Sequence, residues 1–227
     1  MTITYHDNIE QGSDDWLAIR CGKLTASEIK LILTPTLKSA ANDKSRAHVM
    51  EITSQRISQY VEPTYISDDM LRGHEAEVFA REHYEREYGP VQQVGFITND
   101  EWGFTIGYSP DGLVGDAGLW ECKGPRQKRH VETILTGEVP VDNMLQLQTG
   151  LLVTKRDFID FTSYHGGLPM VTLRVYPDPV MQAAIVNAAC QFEESVAANI
   201  QKWQERMGSD MRLIETERVV EQEVYVG

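Results

Sequence analysis

The sequence predicts an α/β (α+β) fold in which a central mixed β-sheet is flanked by helices. Short runs rich in β-branched and aromatic residues, which favour strands, occur at residues 91–97, 102–108, 158–164 and 170–176. Segments with apolar residues at helical spacing surround these runs. The length of 227 residues suits one domain with a sizeable core. We therefore predict a single domain over residues 1–227, with a core at about 12–177 and a C-terminal helix and acidic tail at about 178–227.

The composition is typical of a globular protein in water, with 41% hydrophobic and 24% charged residues. No apolar run has membrane-spanning length, and the first residues lack the basic-then-apolar order of a secretory signal. The cysteines, Cys21, Cys122 and Cys190, form no CxxC pair and suit free thiols in a reducing compartment. We therefore expect a cytoplasmic protein with no membrane partner and no iron–sulfur site.

The net charge of −13 is unfavourable for binding DNA, which depends on Lys and Arg contacting phosphates. The charge is unevenly distributed, however, because acidic residues crowd the last part of the chain. An acidic exterior with a locally basic channel is compatible with DNA. The basic residues collect in the first part and around residue 125: Arg20, Lys23, Lys38, Lys44, Arg46, Lys123, Arg126, Lys128 and Arg129.

The first elements predict a phosphate pocket. Residues 11–20 begin with cap-type residues and predict a short helix. Thr25 and Glu28 have capping-box spacing and predict the start of a second helix. The free N–H groups of its first turn, with Ser27 and the nearby Arg20, would bind a phosphate. A plain cap at Ser27 and a solvated Arg20 is the alternative interpretation of the same residues.

Residues 35–44 lack periodicity and predict a mobile loop with basic tips at Lys38 and Lys44. A helix is predicted over residues 45–60, with Arg46 near its start and Pro63 ending it. We expect these three basic side chains to contact a DNA backbone.

A long helix is predicted from Asp68 to Tyr84, with its stop at Gly89-Pro90. A solvated helix rich in Glu, His and Arg is the alternative interpretation. Gly73 is predicted to let another backbone approach closely. The side chains predicted to pack are Leu71, Val78, Ala80 and Tyr84.

Residues 91–97 and 102–108 predict an antiparallel pair, and residues 158–164 and 170–176 predict a hairpin that completes the sheet. Further helices are predicted to start at Pro125, Asp142 and Asp178, the last running to about residue 207. The basic residues of the first of these helices form a candidate clamp for the DNA backbone, with a solvated face as the alternative: Arg126, Lys128 and Arg129.

The motif Ser109-Pro110-Asp111-Gly112, followed by Glu121-Cys122-Lys123 on a short strand, carries the predicted chemistry. Alternate side chains of a strand share a face, so Glu121 and Lys123 point the same way. The Gly-rich reversal between the two parts can bring Asp111 beside Glu121. Adjacent carboxylates repel each other, and Mg²⁺ relieves that repulsion. We predict that Asp111, Glu121 and the main-chain carbonyl of Cys122 bind Mg²⁺, and that Lys123 orients or deprotonates the attacking water.

These motifs resemble the PD-(D/E)xK nuclease superfamily and, within it, the phage lambda exonuclease or YqaJ-type viral recombinase family. The resemblance runs from about residue 12 to about residue 155 and rests on an ordered set: Trp16, Arg20, Thr25 to Glu28, Ser-Pro-Asp-Gly and Glu-x-Lys. It implies a single nuclease domain with a restriction-endonuclease-like core.

The resemblance implies further site residues. Glu77, placed by its spacing from Gly73, would bind the metal directly or through water, with Glu75 as the alternative. Gln146, the first glutamine of Gln-x-Gln, would reach the active site. The 5′-terminal phosphate would be held by Arg20, Ser27 and Ser109.

The implied activity is that of an alkaline-type deoxyribonuclease, with Mg²⁺ as cofactor and Mn²⁺ as a substitute. It would degrade one strand of double-stranded DNA from a 5′-phosphorylated end, in the 5′-to-3′ direction, giving mononucleotides and a 3′ single-stranded overhang. The implied partners are a homotrimer ring around the DNA and a single-strand annealing protein. Such a phage or prophage protein would act in phage-type recombination, in the cytoplasm of a bacterial host cell.

Two alternatives remain. A PD-(D/E)xK endonuclease would cut circular DNA and would not need Arg20 and Ser27. A non-catalytic DNA-end-binding protein would use its acids in ordinary salt bridges. The second alternative leaves unexplained the ordered set Glu77, Asp111, Glu121, Lys123 and Gln146.

Overall fold

The fold is built on two four-stranded mixed sheets flanked by helices. The computed structural model describes residues 2–63 and 68–218, apart from the side chains of residues 68–70. The first sheet contains β1 (Ile3–His6), β2 (Leu24–Thr25), β3 (Phe96–Asn99) and β4 (Ile106–Tyr108), in the order β1-β3-β4-β2. The second sheet contains, in spatial order, β5 (Gly112–Val114), β6 (Gly118–Lys123), β7 (Phe158–Ser163) and β8 (Val171–Val175). The parallel pairs are β2 with β4 and β6 with β7.

The α/β class with helices flanking mixed sheets is confirmed, but the strands divide between two sheets instead of forming one. The predicted antiparallel pair is present as β3 and β4. The strands β1 and β2 add to this pair and complete the first sheet. An isolated bridge between Gln92 and Leu113 joins the segment before β3 to β5. The strand β1 was not predicted, and it lies before residue 12, where the predicted core begins.

The helices follow the predicted order. A single 3₁₀ turn at Ala26–Glu28 precedes the second of them, which makes that helix shorter than expected. Their bounds are α1 (Asp14–Arg20), α2 (Ile29–Ile32), α3 (Asp43–Ser58), α4 (Asp68–Tyr88), α5 (Gln127–Thr136), α6 (Val141–Thr154) and α7 (Pro179–Met207).

Three helix ends differ from the prediction. α3 begins at Asp43, so Lys44, predicted at the tip of a loop, lies in the first turn of this helix. α3 ends at Ser58, before Pro63, because Gln59 takes a left-handed conformation with φ 51°. Pro125 lies ahead of α5, whose N-cap is Arg126, and is not in its first turn.

The end of the acidic tail, residues 219–227, lies outside the described residues. No helix of the described chain is long and apolar enough to cross a bilayer.

The strand β6 lies between two packed regions, which fixes the direction of its side chains. Leu119 belongs to the main core, which also contains apolar residues of α6 and α7. On the opposite face, Trp120 and Cys122 pack with Ala80 and Tyr84 of α4. Glu121 and Lys123 therefore share the face of Leu119, as the strand periodicity predicts.

The inward face of α4 differs from the predicted one. Ala76, Ala80 and Tyr84 are buried and recur every four residues along the helix. Leu71 and Val78 are 52% and 59% exposed, so the prediction that they pack in the core is wrong. They lie outside the stripe that the buried residues define.

The close backbone approach predicted at Gly73 is made by Gly124, where an added Cβ would lie 3.5 Å from Gly73 Cα, but the glycine that the approach requires is Gly124. A Cβ added at Gly73 would meet no atom within 4 Å. A Cβ at Gly124 would lie 2.5 Å from the Cβ of Ala76. The glycine after Lys123 is thus the one that allows α4 to pack against the end of β6.

Candidate active site

The predicted phosphate residues and the predicted carboxylate motif line one cavity of about 170 Å³. They come from the first helices, from the segment between β4 and β5, from β6 and from α6. The lining residues that the sequence predicted are Arg20, Ser27, Ser109, Asp111, Glu121, Lys123 and Gln146. The fold therefore brings together side chains that are far apart in the sequence.

Asp111 and Glu121 face each other across the β5–β6 hairpin. The register pairs Gly112 with Trp120, so the next residues outward are Asp111 and Glu121. The N–H of Cys122 donates to Asp111 Oδ2 at 2.6 Å. Burial, and then the charge of Glu121, raise the pKa of Asp111 well above its ordinary value, although Lys123 and the N–H of Cys122 oppose the rise. The ionised pair is thus electrostatically unfavourable without a further cation.

Glu121 is 1% exposed and accepts three hydrogen bonds. Lys123 Nζ and Gln146 Nε2 each donate to Oε1 at 2.6 Å. The hydroxyl of Tyr108 donates to Oε2 at 2.7 Å. A carboxylate has about four acceptor positions, so the one left over is on Oε2. Glu121 is therefore held rigidly, with one position remaining for a ligand.

Two opposing effects act on Lys123. Burial alone would lower the pKa of the ammonium, but the charges of Glu121 and Asp111 and the hydrogen bond to Glu121 outweigh burial. The net effect raises the pKa of Lys123 above its ordinary value. Without a bound metal ion, Lys123 is therefore a protonated donor to Glu121.

Glu77 points toward the carboxylates, whereas Glu75 does not. Glu77 Oε1 pairs with Arg81 at 2.5 Å, and Arg81 also donates to the main-chain carbonyl of Asp111 at 3.2 Å. Burial raises the pKa of Glu77, with a smaller contribution from the charge of Glu121. Glu75 is exposed and lines a different cavity beside Pro125.

The donor set fits Mg²⁺. Within the described part of the chain, no three His, Cys, Asp or Glu side chains form a group that could hold a metal ion by themselves. Mg²⁺ typically takes one or two carboxylates and fills its other positions with water and phosphate oxygens. The two facing carboxylates, Asp111 and Glu121, supply such a pair.

The phosphate side of the cavity is organised around Arg20. Its guanidinium lies 4.1 Å from the centre of the Trp16 ring and donates to Ser109 Oγ and Thr25 Oγ1, each at 3.4 Å. Burial lowers the pKa of Arg20 and Glu28 opposes that effect. An arginine remains charged under such shifts, so the pocket keeps its positive charge.

The hydroxyl of Ser109 is directed by its neighbours. It accepts from the indole Nε1 of Trp16 at 2.9 Å and from Arg20. Because both partners can only donate, the O–H of Ser109 has to donate elsewhere. Since Ser109 lines the cavity, this hydrogen is available to a phosphate oxygen.

The predicted capping box is present. Thr25 N and Thr25 Oγ1 donate to Glu28 Oε2 at 3.0 and 2.7 Å. Ser27 Oγ lies 3.3 Å from Thr25 Oγ1. The box fixes the turn that presents Ser27 to the cavity beside Arg20.

The six basic residues predicted to contact the DNA backbone are all exposed, and none lines the 170 Å³ cavity. Arg129 is the one placed beside the active site, because it lines, with Lys123, a neighbouring cavity of about 210 Å³. It also pairs with Asp142 at 3.2 Å. Arg46 pairs with Asp43 on the surface. The others are Lys38, Lys44, Arg126 and Lys128.

Sequence reasoning missed the contacts of three residues that line the cavity: Gln11, Trp16 and Tyr108. Trp16 was noted only for its place in an ordered motif, and Tyr108 only as part of a strand. A signal was available, since Tyr108 directly precedes Ser109 and Trp16 lies one helical turn before Arg20. Gln11 gave no such signal.

The match to a known domain agrees with this geometry. The YqaJ-like viral recombinase domain matches residues 15–157, which is more than half of the chain. The chain belongs to the YqaJ-like viral recombinase family. The predicted resemblance is confirmed, and the matched range contains every predicted site residue.

Solved structures of exonucleases are also similar to this YqaJ-like protein. An alkaline exonuclease from Laribacter hongkongensis, LHK-Exo, is 32% identical with a TM-score of 0.77, over 86% of this chain and 98% of that chain. Its complex with dAMP matches with 33% identity and a TM-score of 0.76, over the same shares. A phage-related exonuclease from Haemophilus somnus 129PT, 12% identical over 80% of this chain and 96% of that one, shares the fold with a TM-score of 0.58. No curated protein sequence gives a significant match.

Proposed function

We propose that this YqaJ-like protein is a Mg²⁺-dependent exonuclease that degrades one strand of duplex DNA from a 5′-phosphorylated end. Degradation runs 5′ to 3′, releases mononucleotides and leaves a 3′ overhang. The observation that carries the proposal is the single cavity lined by Arg20, Ser27 and Ser109 together with Asp111, Glu121 and Lys123. Similarity to an alkaline exonuclease at 32% identity supports the reaction class.

The two halves of the cavity have separate tasks in this proposal. Arg20, Ser27 and Ser109 bind the terminal phosphate through one charge and hydroxyl donors. Ser109 and Asp111 are two residues apart, so their Cα atoms are separated by at most about 7 Å. The phosphodiester bond that is cut beside Asp111 is therefore close to the bound 5′ end of the strand. We expect a single nucleotide as the product.

Asp111 and Glu121 hold Mg²⁺ in this proposal, with the main-chain carbonyl of Cys122 and with Glu77 directly or through water. When bound, the ion neutralises the scissile phosphate and polarises the attacking water. Lys123 orients or deprotonates that water. Gln146 and Tyr108 keep the Glu121 carboxylate in place through their hydrogen bonds.

The wider proposal follows the family. The protein acts as a homotrimer ring on double-stranded DNA, with a single-strand annealing protein, in recombination of a phage or prophage. It works in the cytoplasm of the bacterial host, and Mn²⁺ replaces Mg²⁺. The six exposed basic residues contact the DNA backbone, and Arg129 does so beside the active site, since it shares a cavity with Lys123.

Digestion of three matched substrates tests the proposal: a linear duplex with 5′-phosphates, the same duplex with 5′-hydroxyls, and a closed circle. We expect mononucleotides from the phosphorylated duplex in Mg²⁺, much less from the hydroxyl form and none from the circle. Removal of Mg²⁺ with a chelator should stop the reaction. Cutting of the circle would identify an endonuclease instead, and bound ends without any cutting would identify a DNA-end-binding protein.

Glu77 and Glu75 form a matched pair on one helix for testing the metal site. Glu77→Gln is expected to lower the rate about tenfold and to raise the Mg²⁺ concentration that gives half-maximal activity, as changes beside a metal usually do. Glu75→Gln should leave both unchanged, because Glu75 is exposed and lines another cavity. A Mg²⁺ titration of the initial rate measures both. The reverse result would transfer the metal contact to Glu75.

A further inference from the structure

Gln11 lines the active-site cavity but belongs to neither of its two predicted halves. Its side-chain Nε2 donates to two main-chain carbonyls, to Val94 at 3.1 Å and to Pro110 at 2.8 Å. Both partners are acceptors, so the amide nitrogen has to face them and the orientation of the side chain is fixed. Gln11 thereby links the segment before β3 to the Ser109–Asp111 turn.

The same turn is held from its other end by β5. Gln92 and Leu113 exchange two main-chain hydrogen bonds, at 2.9 and 2.8 Å. The contact behind the turn is close, because a Cβ added at Gly112 would lie 2.0 Å from Val91 Cγ1. The turn is therefore fixed at Pro110 by Gln11 and two residues after Asp111, at Leu113, by this bridge.

The turn joins the two halves of the active site. Ser109, before Pro110, receives hydrogen bonds from Trp16 and Arg20 on the phosphate side. Asp111, after Pro110, receives the N–H of Cys122 on the carboxylate side. A shift of the Pro110 carbonyl would displace both residues at once. Pro110 has no N–H of its own with which to hold this position.

We infer that Gln11 is a positioning residue that couples recognition of the 5′-phosphate to cleavage. This inference rests on the proposed function and adds to it. Gln11 contacts neither the terminal phosphate nor the metal in this role. It sets the distance between the group that holds the chain end and the group that holds the ion.

Two substitutions and one control test the inference. Gln11→Glu keeps the shape of the side chain but turns a carboxylate oxygen toward two carbonyls, so it should push the turn away. Gln11→Ala removes the donors without this repulsion. The matched control is Gln59→Glu. Gln59 Nε2 also donates to a main-chain carbonyl, that of Arg56 at 2.7 Å, at the exposed C-terminal end of α3.

The first measurement is kcat/KM on linear duplexes with 5′-phosphate and with 5′-hydroxyl ends. Gln11→Glu is expected to lower the ratio of the two values by about tenfold, the size of a lost hydrogen-bond contribution, and Gln11→Ala to lower it less. The second measurement is the binding of phosphorylated and hydroxyl ends in the absence of metal. Fluorescence anisotropy reports this binding. There the preference for the phosphorylated end should fall in parallel, and Gln59→Glu should match the wild type.

The outcomes separate the inference from the proposed function. If the wild type prefers phosphorylated ends and folded Gln11 variants keep that preference in both measurements, Gln11 does not couple the sites. The same conclusion follows if the variants lose rate on both ends equally. A wild type that treats the two ends alike would overturn the proposed function, and the inference with it. Thermal melting of each variant identifies loss of rate that comes from unfolding.

Discussion

Asp111→Asn is expected to reduce strand hydrolysis by about 10³-fold, the size seen when a group that stabilises transition-state charge is removed. The substitution changes little else. The asparagine Oδ1 can still accept the N–H of Cys122, which Asp111 Oδ2 accepts at 2.6 Å. The amide nitrogen then replaces the oxygen available to Mg²⁺, and an amide N–H₂ group is not a metal ligand. Initial rates on the phosphorylated duplex measure the loss.

The same variant is expected to be more stable than the wild type when no metal is present. Burial and the charge of Glu121 raise the pKa of Asp111 in the folded protein. A carboxyl whose pKa is raised on folding destabilises the fold at any pH where the unfolded chain ionises it. At neutral pH a neutral isostere removes that cost, and each ~1 kcal/mol gained raises Tm by roughly 2–4 °C for a chain of this size.

Melting curves with a chelator and with Mg²⁺ check this second expectation. Mg²⁺ should raise the Tm of the wild type, because a ligand of the folded state stabilises it, and should have little effect on Asp111→Asn. The control is Asp116→Asn, in the exposed turn of the same hairpin, which should change neither activity nor Tm. A variant that keeps its activity, or that melts below the wild type in chelator, would contradict the assignment of Asp111.

The parts of the site that the sequence predicted are those that local spacing determines. The strand period places Glu121 and Lys123 on one face, and the ion pair of 2.6 Å follows from it. The capping box at Thr25 and Glu28 is similarly local. A turn of the right length brings Asp111 beside Glu121 without help from the rest of the chain. These features need no knowledge of the tertiary fold.

The parts that the sequence did not predict depend on contacts between distant segments. Tyr108 lies on β4 of the first sheet and Glu121 on β6 of the second, so their hydrogen bond of 2.7 Å depends on how the two sheets pack. The edge strand β1 of the first sheet has four residues whose burial does not alternate, so the sequence carries no period-2 signal for it. Leu71 and Val78 fit a packed helix by type, but α4 turns inward the face that packs against Gly124 and Trp120.

Arg20→Gln is expected to remove the preference for a 5′-phosphate without removing hydrolysis. Hydrogen bonds to a charged group contribute about 1.5–3 kcal/mol, which corresponds to roughly 10- to 100-fold in kcat/KM on phosphorylated ends. On 5′-hydroxyl ends there is no terminal phosphate to bind, so the rate should stay within about twofold of the wild type by the same argument. The stacking of Arg20 on Trp16 is also lost, so folding is checked by thermal melting.

Arg46→Gln is the informative comparison for Arg20. Arg46 is exposed, lies outside the cavity and is proposed to contact the DNA backbone only. A backbone contact is independent of the chemistry of the chain end, so its loss should weaken activity equally on both duplexes, and the loss should be larger at low salt than at high salt. Arg20→Gln should instead change the ratio of the two activities. If Arg20→Gln lowers both activities equally, Arg20 supports the fold beside Trp16 and the terminal phosphate is bound elsewhere.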